Sequence, residues 1–283
     1  MIQISGIPFQ QSSTWINDSI ESSIIQSMQA APSIYSYQSI NELLFELKLR
    51  KNIIESALAM NQGQAQFESF DKTRANPQYW EVTDDGGLQL KPGVKPSVAI
   101  SDIFQNSAQY AFECATAILI IYYRAVLLTI GAQLFNQYFQ DLYLYSWHSD
   151  SDLGIQVIDT SHFIPGDVVY FNNPEFHPET PWWRGENAVY LGNDSYFGHG
   201  IGIGSADQLI QALNDVRKPG SNQSAYLINS AIRPSFTHLM HLSTHPRSYQ
   251  TYKVQLVVIH HNESSISLHR YVLYLNQFYN QRT

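Results

Sequence analysis

Cys114, the one cysteine in 283 residues, stands in the run Ala111-Phe112-Glu113-Cys114-Ala115-Thr116-Ala117 and leads into Ile118-Leu119-Ile120-Ile121. The thiol therefore sits where a long hydrophobic helix should open. Free N–H groups and the dipole at such an end favour a thiolate, so the thiol pKa is expected to fall there. Small neighbours, Ala115 and Ala117, let a substrate or a backbone approach closely. Free cysteine also packs as a small hydrophobe, so a buried structural thiol is the plain alternative. The helix-start position and the adjacent Glu113 argue for a nucleophile.

A thiol nucleophile needs a base and shelter from water. One candidate block is Trp182-Trp183-Arg184-Gly185-Glu186-Asn187, running into Ala188 to Leu191; another is Tyr196-Phe197-Gly198-His199-Gly200-Ile201-Gly202. Beside tryptophans, Glu186 could have a raised pKa and accept a thiol proton near neutral pH. His199, between glycines, has a reachable ring and a loosely constrained backbone. Simpler readings stand beside these: Arg184 and Glu186 as a surface ion pair, and Gly198-His199-Gly200 as a turn. The glycines form no phosphate loop, because no Lys-Ser/Thr pair follows them and no acid stands at a nucleotide-type position.

Several elements must hold these residues. Ser39 with Glu42 is a capping-box pattern, and Ile40, Leu43, Leu44, Leu47, Ile54 and Leu58 follow at helical spacing. An amphipathic helix is expected from Ser39 to Met60, with Lys48, Arg50 and Lys51 on its solvated side. Residues 61–98 are rich in breakers. Between them Tyr79 to Val82 and Leu88 to Leu90 read as a hairpin, and a short helix should follow Pro96. The Ser- and Gln-rich first 38 residues are expected to form strands or loops. After Asp141 short β-rich runs appear, at Leu142 to Trp147, Val168 to Phe171 and Ala188 to Leu191, with turn signals between them. A helix is expected from Asp207 to Val216, then strands at Tyr252 to Ile259 and Ser267 to Leu275. Helices first and strands later imply an α+β fold: one compact domain with a mixed, mostly antiparallel sheet and packed helices.

Composition narrows the function. Charged residues are only 14% and the net charge is −8, so a basic nucleic-acid footprint is missing and no nucleic-acid partner is expected. One cysteine excludes an intramolecular disulfide framework. Arg124 interrupts the apolar run from Ala115 to Ile130, which is too short to span a bilayer; no membrane partner is expected, and Arg124 should snorkel to the surface. The N-terminus carries no basic segment or long apolar run, so synthesis in the cytoplasm without a signal peptide is expected.

Taken together, the blocks resemble the spore coat protein-glutamine γ-glutamyltransferases (transglutaminases) of the Bacillus group. The resemblance is carried by Leu44-Phe45-Glu46-Leu47-Lys48-Leu49-Arg50, by Tyr110 to Ala117, by Ile120-Ile121-Tyr122-Tyr123 and by Asn173-Pro174-Glu175-Phe176. Trp183-Arg184-Gly185-Glu186-Asn187, His199-Gly200-Ile201-Gly202-Ile203 and Gln223-Ser224-Ala225-Tyr226-Leu227 continue it in the same order. It implies Cys114 as nucleophile, Glu186 as its partner in a Cys–Glu dyad, Glu113 as a second carboxylate in the site and His199 as a supporting group. It also implies a substrate tunnel lined by Phe67, Trp147 and Trp183, a papain-like core of the NlpC type, no cofactor and no metal. The implied reaction is calcium-independent. Cys114 would attack a peptide glutamine, release ammonia and pass the acyl group to a lysine, with N–H groups at the start of the Cys114 helix holding the oxyanion.

The resemblance divides the chain into a catalytic domain over 1–235 and a β-rich C-terminal extension over 236–283, packed on it or appended to it. His238, His241, His245, His260, His261 and His269 in that extension fit no compact metal motif and are expected on the surface of a β-hairpin. The implied partners are spore coat proteins carrying Gln and Lys, the location is the spore coat, and a monomer is expected. Two competing readings remain: a papain-like cysteine peptidase or glutamine deamidase with the same nucleophile, and a non-catalytic coat protein.

Overall fold

A computed structural model describes residues 1–10, 19–245 and 256–281. The chain opens with strands β1 (Ile2–Ile4) and β2 (Ile7–Pro8), helix α1 (Ile20–Ala30) and strand β3 (Tyr35–Tyr37). Helix α2 (Ile40–Gln62) leads to β4 (Gln66–Phe67), the hairpin of β5 (Trp80–Val82) and β6 (Leu88–Leu90), and helix α3 (Pro96–Gln105). Strand β7 (Ala111–Phe112) runs into helix α4 (Cys114–Ile130), then α5 (Ala132–Tyr138) and β8 (Tyr143–Leu144). The β-rich part holds β9 (Gln156–Asp159), β10 (Val168–Asn172), β11 (Gly185–Gly192), β12 (Ser195–Gly198) and β13 (Gly202–Gly204). Helix α6 (Ala206–Asp215), β14 (Tyr226–Leu227), β15 (Ser230–Arg233), α7 (Phe236–Thr244) and α8 (Leu268–Asn280) complete it.

Among the described residues the main sheet has seven strands in the order β13-β12-β11-β10-β15-β9, with β14 also on β10; each of its pairings is antiparallel. Helix α4 is apolar all round, and such a helix belongs inside a core. It is buried from Cys114 through Tyr123 and again over Ala125 to Leu127. It packs in one core cluster with α2 residues Leu49 and Ile53 and with the sheet residues Val168 and Val189. Truncating one such buried aliphatic to Ala typically costs about 2–5 kcal/mol. The fold is α+β, as the sequence implies.

Ser39 caps α2 by accepting from the Glu42 amide at 3.3 Å, but the Glu42 carboxylate turns to the Gln38 amide at 2.6 Å, so the box closes one residue early. Arg50 corrects the expectation of a solvated face: it is fully buried. Its Nε meets Glu46 and its Nη1 meets Asp167, each at 2.8 Å, while Arg233 holds the other Asp167 oxygen at 2.8 Å. The second helix face is thus covered by the turn before β10 and by β15. Arg124 lies over the Phe104 ring at 4.0 Å, so its charge rests on an aromatic face rather than snorkelling freely.

Two further expectations fail. The first 38 residues include helix α1, capped by Ser19 accepting from the Ser22 amide at 3.1 Å, with Ile24, Ile25 and Met28 buried at helical spacing. The C-terminal extension is helical where strands were expected: Ser267 caps α8 by accepting from the Arg270 amide at 3.2 Å. Its aromatic and β-branched residues fit a strand equally well, and only the cap decides. Residues 252–255 of the expected strand lie outside the described residues, and 256–259 carry no regular structure. The histidines are not on a hairpin. His238 and His241 lie on α7, and the His261 ring meets the Ser146 hydroxyl at 3.0 Å. None of the described helices is long and apolar enough to cross a membrane.

Candidate active site

Cys114 is the first residue of α4, and Glu113 is its N-cap. The Glu113 carboxylate accepts from the Ala115 amide at 2.9 Å, from the Thr116 amide at 2.5 Å and from the Thr116 hydroxyl at 2.7 Å. A fourth donor, the Ser265 amide, reaches it at 3.1 Å from the C-terminal extension. An N-cap carboxylate satisfies the helix's orphan N–H groups. Glu113 is therefore committed to the helix end, and the Ala115 and Thr116 amides are engaged by it rather than free for an oxyanion.

Strand β11 brings the second set. Pairing with β10 sets Glu186 opposite Phe171 and Asn187 opposite Tyr170. Asn187 Nδ2 donates to Cys114 Sγ at 3.2 Å and to the Ile266 carbonyl at 3.0 Å. Glu186 is completely buried. Its Oε1 accepts from the Gly200 amide at 3.1 Å, and its Oε2 has no hydrogen-bond partner among the described residues. Arg184, its suggested ion-pair partner, instead meets Glu263 at 2.8 Å, which removes the surface-pair reading. The glycines around His199 serve space rather than mobility. A Cβ on Gly198 would stand 2.6 Å from Glu186 Cγ, and one on Gly200 would stand 3.1 Å from both Glu186 Oε2 and the Trp183 ring.

The electrostatics follow from dryness. Burial pushes the Glu186 carboxyl up to about 8, with negative Glu113 adding to it. Burial also pushes the Cys114 thiol up, and the negative charges of Glu186 and Glu113 push it further. The expected fall of the thiol pKa is thus reversed: the helix-end amides serve Glu113, and desolvation disfavours the anion. Burial thus favours the neutral form of both the thiol and the carboxyl.

His199 is neutral as well, because burial takes its pKa down to about 4. Its Nε2–H donates to the Gln66 carbonyl at 3.1 Å. The ring stacks on Phe112, two residues ahead of Cys114, at 4.9 Å. It braces the strands that deliver the cysteine. Phe67 stacks on Trp183 at 5.1 Å, so two of the three expected wall aromatics touch. The third, Trp147, is buried and donates its indole N–H to the Ile266 carbonyl at 3.0 Å.

Sequence reasoning did not single out Asn187, although it stands in the quoted Trp183–Asn187 block, and it missed Ser265 and Ile266 altogether. Nothing in the spacing of the extension pointed at the thiol. Strain marks the same place. Ser146, before Trp147, and Ser265, before Ile266, have φ of 49° and 60°, a region non-glycine residues occupy mainly where surrounding structure compels it.

The family model for protein-glutamine gamma-glutamyltransferase matches residues 1–243. A protein-glutamine gamma-glutamyltransferase of Halalkalibacterium halodurans is 50% identical over 275 residues, 97% of each chain. One of Bacillus subtilis is 46% identical over 235 residues, covering 82% of this chain and 96% of its own. A solved transglutaminase from Geobacillus stearothermophilus, without its C-terminal extension, superposes with a TM-score of 0.70 at 48% identity, covering 74% of this chain and 99% of its own. A match that takes in most of the chain, with Cys114 and Glu186 inside the matched span, leads to one conclusion: this chain belongs to the protein-glutamine γ-glutamyltransferase family of acyltransferase enzymes.

Proposed function

We propose that the chain forms ε-(γ-glutamyl)lysine isopeptide bonds between spore coat proteins, without calcium and as a monomer, through Cys114 and Glu186. Residues 1–235 carry the reaction and 236–283 form an extension. The observation that carries this reading is the meeting at the head of α4. There the thiol touches Asn187 Nδ2 at 3.2 Å, and the neighbouring Glu186 is buried with one carboxyl oxygen unpartnered. A buried polar atom left unpaired is costly, and a carboxyl whose pKa burial raises beside a thiol is suited to proton exchange. The spore coat setting rests on the sequence resemblance and on the Bacillus sources of relatives.

In the reaction, ionised Glu186 takes the Cys114 proton and the thiolate attacks the γ-carbonyl carbon of a peptide glutamine. The tetrahedral oxyanion needs donors aimed beside the sulfur. Asn187 Nδ2 and Trp147 Nε1 are such donors, since both already hold one carbonyl oxygen there at 3.0 Å. Glu186 returns its proton to the departing nitrogen, ammonia leaves and a thioester remains. A neutral lysine amine then attacks the thioester; its proton passes to Glu186, and the sulfur leaves as thiolate to be reprotonated. Phe67, Trp147 and Trp183 limit competing water and suit the alkyl stem and cationic head of lysine.

A casein crosslinking assay in chelator, run beside Cys114→Ala, Glu186→Gln and Glu113→Gln, tests the assignment. Isopeptide dimers and ammonia are expected from the unaltered chain, none from Cys114→Ala, and a far larger loss in Glu186→Gln than in Glu113→Gln. Ammonia without dimers would make the enzyme a deamidase. Cleaved peptide would make it a peptidase.

A further inference from the structure

The carbonyl held beside the sulfur belongs to the chain itself. Ser264, Ser265, Ile266 and Ser267 are buried, Ser265 and Ile266 completely, although they belong to an extension beyond the matched family span. Their backbone is tied to Glu113, Tyr170, Asn187 and Trp147. The Ser265 amide donates to the Glu113 carboxylate at 3.1 Å, and Tyr170 donates its hydroxyl to the Ser265 carbonyl at 2.9 Å. Asn187 and Trp147 both donate to the Ile266 carbonyl at 3.0 Å. One amide nitrogen thus bridges the tail carbonyl and the Cys114 sulfur. Ile266, Leu268 and Tyr271 join the same core cluster as Phe112, Ala115 and Trp147. Outside, Glu263 clamps the segment: Arg184 meets it at 2.8 Å and Arg270 at 2.5 and 2.7 Å.

We propose that residues 264–267 are a built-in plug of the acyl-donor site, with the Ile266 carbonyl standing where a substrate glutamine's γ-carbonyl oxygen must go. This rests on the assignment of Cys114 as nucleophile. Asn187 Nδ2, beside the sulfur, and Trp147 Nε1 both donate to the Ile266 carbonyl and cannot serve the tail and a substrate oxygen together. A substrate enters only when the segment leaves. The enzyme therefore works at a rate scaled by its open fraction, which falls tenfold for each 1.4 kcal/mol that holds the segment in place. Opening also wets the site, which lowers the Glu186 and Cys114 pKa values toward their ordinary range and readies the dyad. The left-handed backbone at Ser265 (φ 60°) stores strain in the segment that has to move.

The single cysteine gives a readout independent of turnover. In the full chain, iodoacetamide alkylation of Cys114 is timed by mass spectrometry beside amine incorporation into casein, for the unaltered protein, Ile266→Asp and Glu263→Ala. Ile266→Asp places an unpaired charge where the plug seats, and Glu263→Ala removes only the outer clamp. Alkylation faster by about tenfold or more in Ile266→Asp, and severalfold in Glu263→Ala, with the far-ultraviolet circular dichroism unchanged, supports the plug. Amine incorporation should rise in parallel. Equal alkylation rates in all three folded proteins would overturn the proposal. If Ile266→Asp does not fold, Glu263→Ala decides alone, by the same criterion. Faster alkylation with no amine incorporation in any of the three would leave the plug standing and sink the nucleophile assignment instead.

Discussion

Two clusters of buried ionisable groups among the described residues differ in how their charges are faced. In the first, Arg50 stands between Glu46 and Asp167, and Asp167 is shared with Arg233, every pair at 2.8 Å. Each carboxylate there faces a guanidinium. In the second, at the head of α4, Glu186 and Cys114 are equally buried, yet no cation among the described residues pairs with them, and both pKa values are pushed upward by burial. The first cluster uses charge to join α2 to the sheet. The second keeps its groups short of partners, neutral and ready to exchange a proton. Both clusters hold buried atoms without a partner, Arg50 Nη2 and Arg233 Nε in the first and Glu186 Oε2 in the second, so what separates them is the facing counter-charge.

That contrast can be broken in graded steps. Cys114→Ala should reduce isopeptide formation to background, a loss of about a thousandfold or more, with little change in a urea unfolding curve. Glu186→Gln should cost about 10²–10⁴-fold in kcat, again with the fold intact, since the neutral amide matches the protonated acid it replaces. Asp167→Asn should do the reverse. Leaving Arg50 and Arg233 without their shared anion should cost about 3–5 kcal/mol in urea unfolding, while the remaining folded enzyme keeps its pH profile. If Asp167→Asn shifted the pH profile and Glu186→Gln only lowered stability, the assignments of the two clusters would be exchanged.

Smaller effects sharpen the comparison. The Glu186 pKa rises from its ordinary 4.5 to about 8 in the folded chain. The folded state then holds a proton that the unfolded state has lost, so stability should fall as pH rises through that window, by up to about 1.4 kcal/mol per pH unit. Above 8 the Glu186 contribution should level off, while the raised Cys114 thiol adds its own decline near pH 9, and Glu186→Gln should lack the Glu186 part; activity, needing the ionised base, should rise through the same range. Comparing the two unfolding series between pH 5 and 9 checks this. Glu113→Gln should cost about 1–2 kcal/mol through the weakened cap, seen as a shift in urea midpoint, with only a secondary loss of rate.

The place of Cys114 at the head of a buried helix was legible in advance. A lone thiol before a run as apolar as Ala115 to Ile121 can hardly be anywhere but at the start of a buried helix, and Glu186 stands in a block dense with tryptophan. Local patterns also marked α2, the β5–β6 hairpin and α6, because capping and periodicity act over a few residues. The Ile20, Ile24, Ile25, Met28 spacing of α1 was present too, though masked by its Ser- and Gln-rich surroundings.

What the chain's order of residues determined, then, was a candidate nucleophile, its candidate base and the helix that presents the thiol, all consequences of short-range backbone chemistry. Tertiary structure decided the rest. It made Glu113 a cap, turned Arg50 inward, aimed Asn187 at the sulfur and laid Ser265 and Ile266 across it from about 150 residues away. Such contacts depend on which surfaces meet after collapse, and desolvation there reversed the direction of the thiol's pKa. No spacing rule carries that information, because the free energy of a buried proton depends on every group around it.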